Sequence, residues 1–251
     1  MKNNSFTKEA KDSIRIKMIE YLANSNNIVH SKEDRSPVTE MDFFISNTIK
    51  NLSKKYLPGH HFYSEEEVSV LSYPAVILDP IDGTREFAKL VPQCALSMAI
   101  MVNNKIEDLR NFAWIYNPLS GFELSSDGLL SHTYSGFYRD NVDTKPCGLV
   151  SRSEFSKNIF DEQTRSKFNL LPVGSIAFKL ALLASGTCDF VLSLQPKSLW
   201  DIAAGTLLCK QQGIDFYAFN GDKVTEFTSE RYDCNLLWCR ASLRPHFDHI
   251  F

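Results

Sequence analysis

The sequence lacks any hydrophobic run long enough to cross a membrane, and its N-terminal residues MKNNSFTKEAKDS lack the apolar core of a signal peptide. We therefore expect a cytoplasmic protein with no membrane partner. The sequence also lacks a C-x-x-C pair, and its six cysteines lie mostly in apolar stretches such as CALSMAIM and LLWCRA. This pattern favours buried free thiols over disulfides or a zinc site.

Positive charge is not in excess either. The chain has 27 Lys and Arg residues against 30 Asp and Glu residues, which gives a net charge of −3. Because proteins that bind nucleic acid polymers normally show a basic excess, we expect no such partner, whereas a small anionic substrate needs only a local cluster of cations. Internal repeats and long linkers are missing too, so 251 residues predict one large domain or two closely packed subdomains.

The main chemical feature is the stretch AVILDPIDGTREFA at residues 75–88. Its apolar start predicts a buried strand, which Pro80 interrupts. Asp79 and Asp82 then lie where the strand ends, so both carboxylates and the Ile81 carbonyl can point into one crevice. Two carboxylates at such a short distance repel each other unless a cation lies between them, so the motif predicts a divalent metal.

The residues after this strand suit a phosphate group. Gly83 allows a sharp turn, and a helix that begins at Thr84 leaves the N–H groups of both residues available to an anion. A metal beside such a turn outlines a phosphoryl-transfer site. The alternative is a simple turn, because Asp, Pro and Gly are the commonest turn residues.

Further acids lie in suitable places along the chain. Thr39 and Asp42 fall at the start of a predicted helix that runs to about Tyr56, where their alternative role is to cap that helix. Glu65 belongs to the acidic run SEEE, which by default is a solvated loop. Asp201 opens a helix in WDIAAG and can be an N-cap residue. The small residues after it, however, would let another backbone approach closely, as an interdomain site requires.

The pattern of strands and helices divides the chain in two. Residues 1–147 predict two helices followed by an antiparallel meander over residues 94–124, which makes an α+β subdomain. Residues 148–251 alternate strands with helices, one of them over residues 155–168, which predicts an α/β subdomain with a partly parallel sheet. We expect the active site between the two. Residues 125–146 match no pattern that assigns them a role.

Five separated stretches occur in an order that resembles the inositol monophosphatase superfamily of Mg²⁺-dependent, lithium-sensitive phosphatases. They are SPVTEMD, SEE, DPIDGT, Gly174-Ser175 and WDIAAG, and they lie within about residues 32–213. DPIDGT combined with a distant WDxAAG is a specific signal, whereas either one alone is weak. The resemblance implies a layered α-β-α-β-α sandwich and a phosphoric monoester hydrolase that uses a metal-activated water.

The resemblance also implies roles for individual residues and two or three Mg²⁺ ions per site. The metal ligands of the family are oxygen donors, and the matching positions here are Glu65, Asp79, Ile81 (through its carbonyl), Asp82 and Asp201. Thr84 and Asp42 would be catalytic by orienting the attacking water, and Glu65 counts with them as a catalytic residue. The N–H groups of Gly83 and Thr84 would hold the phosphate.

Details around the core motif favour one substrate. Arg85-Glu86-Phe87 resembles the Lys-Glu-Phe of the 3′(2′),5′-bisphosphate nucleotidases. Leu194 stands where inositol-using members tend to place a glutamate, and Lys179 stands where they often have Asp or Asn. We therefore predict that the chain hydrolyses the 3′-phosphate of 3′-phosphoadenosine 5′-phosphate.

A second phosphate on the substrate requires cations beyond the metals. The predicted substrate-binding residues are Arg85, Arg152 and Lys179. Arg152 is preferred because it lies between two serines in a predicted turn and arginine can bind phosphate with two hydrogen bonds. The alternatives are a phosphatase for inositol phosphate or another polyol or sugar phosphate and, in a different class, a non-catalytic regulatory protein on the same fold. Family members are often dimers, which leaves a homodimer open.

Overall fold

The computed structural model describes residues 2–23, 29–31, 37–67, 69–131 and 145–251. Ser36, with which the SPVTEMD motif begins, lies outside the described residues, and so do residues 132–144 of the stretch to which the sequence assigns no role. No described helix is long and apolar enough to cross a membrane.

The helices are α1 (Lys2–Ala23), α2 (Glu40–Tyr56), α3 (Thr84–Phe87), α4 (Ser126–Ser131), α5 (Arg152–Ser156), α6 (Glu162–Lys167), α7 (Ile176–Ala184), α8 (Leu199–Gln211) and a 3₁₀ turn at Arg244–Phe247. The strands are β1 (Val29–Ser31), β2 (Pro37–Thr39), β3 (His61–Ser64), β4 (Ala75–Asp82), β5 (Ala95–Met101), β6 (Phe112–Tyr116), β7 (Glu123–Ser125), β8 (Cys147–Ser151), β9 (Asn169–Val173), β10 (Phe190–Ser193), β11 (Lys197–Ser198), β12 (Asp215–Ala218), β13 (Asp222–Lys223), β14 (Arg231–Tyr232) and β15 (Leu236–Cys239).

The first two helices form because their apolar residues recur at helical spacing. In α1, Phe6, Ala10 and Ile14 follow one another by about one turn, and all three are fully buried. In α2, Met41 and Ile45 are buried in the same way. The two helices lie against each other and share one core with the first sheet. Both predicted helices of the N-terminal half are therefore confirmed.

Two large sheets form the frame. The first has the strand order β3-β4-β5-β6-β7, in which β3 and β4 are parallel and the other pairs are antiparallel. This order confirms the predicted meander. The second has the order β13-β12-β15-β10-β8-β9, in which β10–β8 and β8–β9 are parallel pairs and β10–β15 and β12–β15 are antiparallel. The predicted partly parallel sheet is therefore confirmed too.

The buried residues show how these elements stack. Alternate residues of the first sheet, such as Leu78 and Trp114, face α1 and α2. On its other face, Ile77 shares a core with Leu180 of α7 and Trp238 of the second sheet, so α7 and α8 lie between the sheets. Aromatic residues of the α5–α6 segment and the 3₁₀ turn cover the far side of the second sheet. The predicted α-β-α-β-α sandwich is confirmed.

One predicted helix is wrong. The chain forms α5 and α6 with a turn between them where the sequence predicts a single helix over residues 155–168. Asn158 has a φ of 55°, a left-handed conformation that ends a helix. Asp161 begins the next helix by accepting a hydrogen bond of 2.7 Å from the Thr164 N–H. Asn and Asp prefer such caps and turns to helix interiors, because their side chains bond to the nearby backbone.

The central core crosses the predicted subdomain boundary. Ala99 and Val191, which come from opposite sides of residue 147, belong to the same buried cluster. The division into residues 1–147 and 148–251 therefore stays a prediction. The six cysteines are free, and all but Cys234 are buried, as predicted.

The contact between α7 and α8 requires a glycine. A Cβ atom on Gly205 would lie 2.4 Å from the Cβ atom of Leu180, which is closer than real side chains come. We predict that Gly205→Ala lowers the free energy of unfolding by about 1–3 kcal/mol, the usual cost of overpacking a core. Urea denaturation measures this change. Gln211→Ala, at an exposed position of the same helix, should change it by less than about 0.5 kcal/mol. Equal stability of the Gly205 variant and the wild type would contradict this packing.

Candidate active site

The end of β4 brings two aspartates to the same side of the first sheet. In a regular strand, residues three apart point to opposite faces. Here Asp79 pairs with Ser97 and Asp82 pairs with Ala95, so β4 carries one residue more than β5 between these pairs. Such a bulge turns the second side chain towards the first. Pro80 suits this position because it has no N–H group to donate to the neighbouring strand.

The third aspartate comes from the start of α8. Asp201 is the third residue of that helix, and its Oδ2 accepts a hydrogen bond of 2.9 Å from the N–H of Ser198. A further hydrogen bond of 3.0 Å, from the Ser97 hydroxyl to the Trp200 carbonyl, joins the start of the helix to β5. Carboxylate oxygens of Asp79, Asp82 and Asp201 consequently all lie within 4.8 Å of one another. We call these three residues the aspartate cluster.

The aspartate cluster has the properties of a cation site. Asp79 is 2% exposed, and its buried Oδ1 has no hydrogen-bond partner. Burial, followed by the charges of Glu65, Asp82 and Asp201, raises the pKa of Asp79 well above its usual range. Burial and the charge of Asp82 raise the pKa of Asp201 to about 7. A buried oxygen without a partner and converging carboxylates fit a hard divalent cation, which takes oxygen ligands.

The orientation of Asp82 depends on the loop before α7. Its Oδ2 accepts two hydrogen bonds of 2.6 Å, one from the Ser175 hydroxyl and one from the Ala177 N–H. Ser175 has a φ of 53°, a strained conformation for a residue other than glycine, and its Oγ also accepts from the Phe178 N–H. The sequence shows Gly174-Ser175 as a motif but does not assign Ser175 a role. The reason is that the partner of Ser175, Asp82, lies 93 residues earlier in the chain.

Two glycines let the loops of the site approach each other. Gly83 has a φ of 85°, and a Cβ atom on it would lie 3.0 Å from the Gln93 carbonyl oxygen. A Cβ atom on Gly174 would lie 2.7 Å from Cγ of Glu86. The Gly174 N–H donates to Oε1 of Gln93 at 3.0 Å. The turn after β4 and the turn before α7 therefore form one wall of the site.

The predicted pair of Thr84 and Asp42 lies in the same region but is not joined by a hydrogen bond in the described structure. The Thr84 hydroxyl donates to the Ile81 carbonyl at 2.9 Å. Asp42 is buried, and its Oδ2 accepts from both the N–H and the hydroxyl of Thr39, at 2.7 and 2.6 Å. Burial raises the pKa of Asp42 to about 6, and the charge of Glu65 is among the smaller contributions to this shift.

Glu65 and Ile81 flank the aspartate cluster. Glu65 follows β3, and its N–H donates to the Leu78 carbonyl at 3.1 Å. Among the neighbouring charges, that of Glu65 contributes most to the raised pKa of Asp79. The Ile81 side chain is fully buried, and its carbonyl is the acceptor of the Thr84 hydroxyl.

A pocket of about 230 Å³ opens beside the aspartate cluster. It is lined by Asp82, Gly83, Arg85, Glu86, Ser151, Arg152, Ser153, Gly174, Ser175, Ile176, Lys179, Lys197 and Asp201. All three predicted substrate-binding residues are in this lining. The sequence did not single out Lys197, because nothing local connects the residue after Pro196 with the pocket.

The cations of the pocket differ in their surroundings. Arg152 is exposed, and its Nη1 lies 3.7 Å from Oε1 of Glu86. Lys179 is buried and donates to the Val173 carbonyl at 3.1 Å. Burial lowers the pKa of Lys179 to about 8, while the charge of Asp82 opposes this shift. Arg152 is thus available to a ligand in solution, whereas Lys179 is part of the pocket wall.

The family profile described as the inositol monophosphatase family matches residues 4–238. The chain belongs to this family. Members of the family are phosphatases that act on small phosphate esters, so the chain is a phosphoric monoester hydrolase, as predicted. The family generally depends on Mg²⁺, which agrees with an acidic cluster that can hold a cation.

Similar proteins differ in the substrate that their names give. The 3′(2′),5′-bisphosphate nucleotidase CysQ of Aggregatibacter actinomycetemcomitans is 24% identical over 212 residues, which cover 78% of this chain and 77% of that protein. A fructose-1,6-bisphosphatase of Pyrococcus furiosus is 33% identical over 155 residues, or 59% of this chain and 58% of that protein. The solved structure of an IMPase from Thermotoga maritima superimposes with a TM-score of 0.77 at 21% identity, covering 100% of this chain and 96% of that one. This last similarity confirms the fold.

The aspartate cluster should make the metal-free protein sensitive to pH. A carboxylate whose pKa is raised on folding stabilises the folded state below its unfolded pKa of about 4, and that contribution is lost as the pH rises through the folded pKa. With Asp201 at about 7, we predict that the free energy of unfolding in EDTA falls between about pH 4 and pH 7. The fall should be shallower in Asp201→Asn.

Urea denaturation at several pH values measures this difference, and Asp222→Asn, on the exposed strand β13, is the matched control. Mg²⁺ should restore stability at pH 7.5, because a ligand that binds only the folded state stabilises it. Parallel curves for the wild type and Asp201→Asn would contradict the raised pKa of Asp201.

Proposed function

We propose that this phosphatase uses Mg²⁺ to hydrolyse the 3′-phosphate of 3′-phosphoadenosine 5′-phosphate or a closely related bisphosphate. The observation that carries the proposal is the pocket itself, in which Asp82 and Asp201 of the aspartate cluster lie together with Arg85, Arg152 and Lys197. Carboxylates suit the metals at the scissile phosphate, and the cations beyond them suit a second phosphate that the metals do not touch.

The residues that would hold two or three Mg²⁺ ions are Glu65, Asp79, Ile81 (through its carbonyl), Asp82 and Asp201. Bound there, Mg²⁺ supplies positive charge to the transferring phosphoryl group and lowers the pKa of the attacking water. Hydrogen bonds from Ser175, Ala177 and Ser198 occupy one oxygen each of Asp82 and Asp201, so the protein fixes these ligands in advance.

The turn after β4 provides the phosphate cradle in this proposal. The hydrogen bonds of α3 begin with the N–H groups of Glu86 and Phe87, which both donate to the Gly83 carbonyl. The N–H groups of Gly83 and Thr84 therefore precede the hydrogen bonds of the helix, as anion-binding groups do. This arrangement supports their predicted role in holding the phosphate.

Thr84 and Asp42 would orient the attacking water together with Glu65. For this role the Thr84 hydroxyl has to exchange its acceptor, the Ile81 carbonyl, for Asp42. Asp42 is already fixed by the two hydrogen bonds from Thr39. The raised pKa of Asp42, about 6, places its proton exchange close to neutral pH, which suits an acid–base role.

A phosphorylated sugar or polyol is the second candidate substrate. The described lining of the pocket contains no aromatic side chain on which an adenine ring would stack, and it offers the hydroxyls of Ser151 and Ser153. Polar groups of this kind suit sugar hydroxyls, and a sugar bisphosphate would use the same cations. The cytoplasmic location and a homodimer stay predictions.

Phosphate release from a panel of substrates tests the proposal. The panel contains 3′-phosphoadenosine 5′-phosphate, inositol 1-phosphate, fructose 1,6-bisphosphate and a simple aryl phosphate, each with Mg²⁺ and with EDTA. We expect the highest kcat/KM for the bisphosphate nucleotide. Preference for either sugar or polyol ester would establish the second candidate, and no turnover of any ester would favour a regulatory protein.

Asp82→Asn tests the metal chemistry separately from folding. The change is nearly isosteric and removes one ligand charge, so turnover at saturating Mg²⁺ should fall by at least about 100-fold. The folded state without metal should be as stable as the wild type or more stable, because repulsion in the aspartate cluster is relieved. Steady-state kinetics and urea denaturation in EDTA measure the two effects. Full turnover of Asp82→Asn would place the chemistry elsewhere.

Arg152→Ala tests the second phosphate. The change should raise KM for a bisphosphate substrate by about 10-fold or more, which is the loss of one charge-assisted hydrogen-bonded pair. KM for the aryl phosphate should change little, because that substrate has no second phosphate. Lys157→Ala is the matched control, since Lys157 is an exposed cation next to α5 that does not line the pocket. Equal effects of Arg152→Ala on both substrates would contradict the proposed role.

A further inference from the structure

Two aromatic rings meet directly behind the site. Tyr63 of β3 and Trp200 of α8 have ring centroids 5.4 Å apart. Tyr63 lies two residues before Glu65, and Trp200 is bonded to Asp201. The contact between these rings therefore connects the strand that leads to one acid with the helix that carries another.

Glu230 joins the same two elements from outside. Its Oε2 accepts a hydrogen bond of 3.1 Å from the Tyr63 hydroxyl, and its Oε1 accepts one of 3.0 Å from the Leu71 N–H. Its main-chain carbonyl accepts a bond of 2.8 Å from the N–H of Leu199, the first residue of α8. One residue thus contacts β3, the segment before β4 and the start of α8.

The main chain around Glu230 is held in register with α8. Strand β14, which begins at the next residue, pairs with β11, so Arg231 lies opposite Ser198 and Tyr232 lies opposite Lys197. Burial and the hydrogen bond to Glu230 raise the pKa of Tyr63 far above neutral pH, so its hydroxyl stays a donor. The Tyr63 hydroxyl and the start of α8 are therefore joined through one residue, Glu230.

We infer that Glu230 is a positioning residue, which fixes the distance between Glu65 and Asp201 through the contact of Tyr63 with Trp200. The inference rests on the proposed function, in which both acids hold metal ions. Mg²⁺ accepts little variation in its oxygen distances of about 2.1 Å. A small shift of β3 against α8 therefore changes metal affinity before it changes the fold.

A purely structural role for this carboxylate is a weaker explanation. Glu230 is exposed, and hydrogen bonds near the surface contribute only weakly to the stability of the fold. Its removal should leave a folded protein. A change in metal binding by a folded variant is therefore the property that separates positioning from stabilisation.

Metal binding by the full chain tests the inference without turnover. Terbium(III) is a probe for oxygen-ligated sites, and Trp200, next to Asp201, can sensitise its luminescence. Mg²⁺ competition then gives the affinity of each variant. We expect Glu230→Ala to weaken Mg²⁺ binding by about 10-fold or more, the usual effect of losing a group that orients ligands. Glu230→Gln keeps one acceptor oxygen, so its Mg²⁺ affinity should lie between those of Glu230→Ala and the wild type.

Glu226→Ala is the matched control, because Glu226 is an exposed glutamate of the same loop. It should bind Mg²⁺ like the wild type. In turnover assays, Glu230→Ala should require more Mg²⁺ for half-maximal rate, while KM for the ester at saturating Mg²⁺ stays unchanged. Wild-type Mg²⁺ affinity in Glu230→Ala would overturn the inference, and so would equal weakening in Glu226→Ala. If the wild type binds terbium but hydrolyses no ester, the proposed function fails while the affinity comparison still decides the role of Glu230.

Discussion

Repulsion among the carboxylates of the aspartate cluster is the constraint on which the rest of the site depends. Their oxygens lie within 4.8 Å of one another, and two of the three side chains are held by hydrogen bonds from neutral donors. Neutral donors fix the direction of a carboxylate without cancelling its charge. The charge therefore remains available to a cation, and the buried Oδ1 of Asp79 has nothing else to bind in the described structure.

Holding these charges together requires a rigid frame, and the middle layer provides it. Asp79 and Asp82 come from β4, while Asp201 comes from α8, which packs against β4, β5 and α7. Gly205 lets α8 approach Leu180 of α7 closely. The same small residues that fill the central core thus bring the start of α8 next to the end of β4. The contact between α7 and α8 therefore both fills the core and places Asp201 beside Asp82.

Sequence reasoning works well where the cause of a structure is local. Neighbours within a few positions are enough to predict the strand before Asp79, the helix start at Asp42 and the close packing after Asp201. The structure brings Asp79, Asp82 and Asp201 together as predicted. The role of Ser175 depends on a partner 93 residues away, and the place of Lys197 in the pocket depends on how two turns meet. Sequence periodicity cannot predict such contacts between residues that are far apart in the chain.

The failed helix over residues 155–168 has a different cause. Its apolar spacing is compatible with one helix, but Asn158 and Asp161 satisfy the backbone better as a turn and a cap. Helix α5 begins directly after β8, so Arg152 is its first residue and lies at the pocket.

The charges on the two sides of the pocket also act on each other. Burial raises the pKa of both Asp82 and Asp201, and the charge of Lys197 opposes this rise, so this lysine favours their ionised forms. A cation bound to the aspartates would reduce the attraction between them and Lys197. The lysine would then interact more strongly with an anionic group of the substrate. Because coupling between two binding events is reciprocal, an anionic substrate should in turn strengthen cation binding. In the proposed function, metal and substrate would therefore favour each other's binding through Lys197.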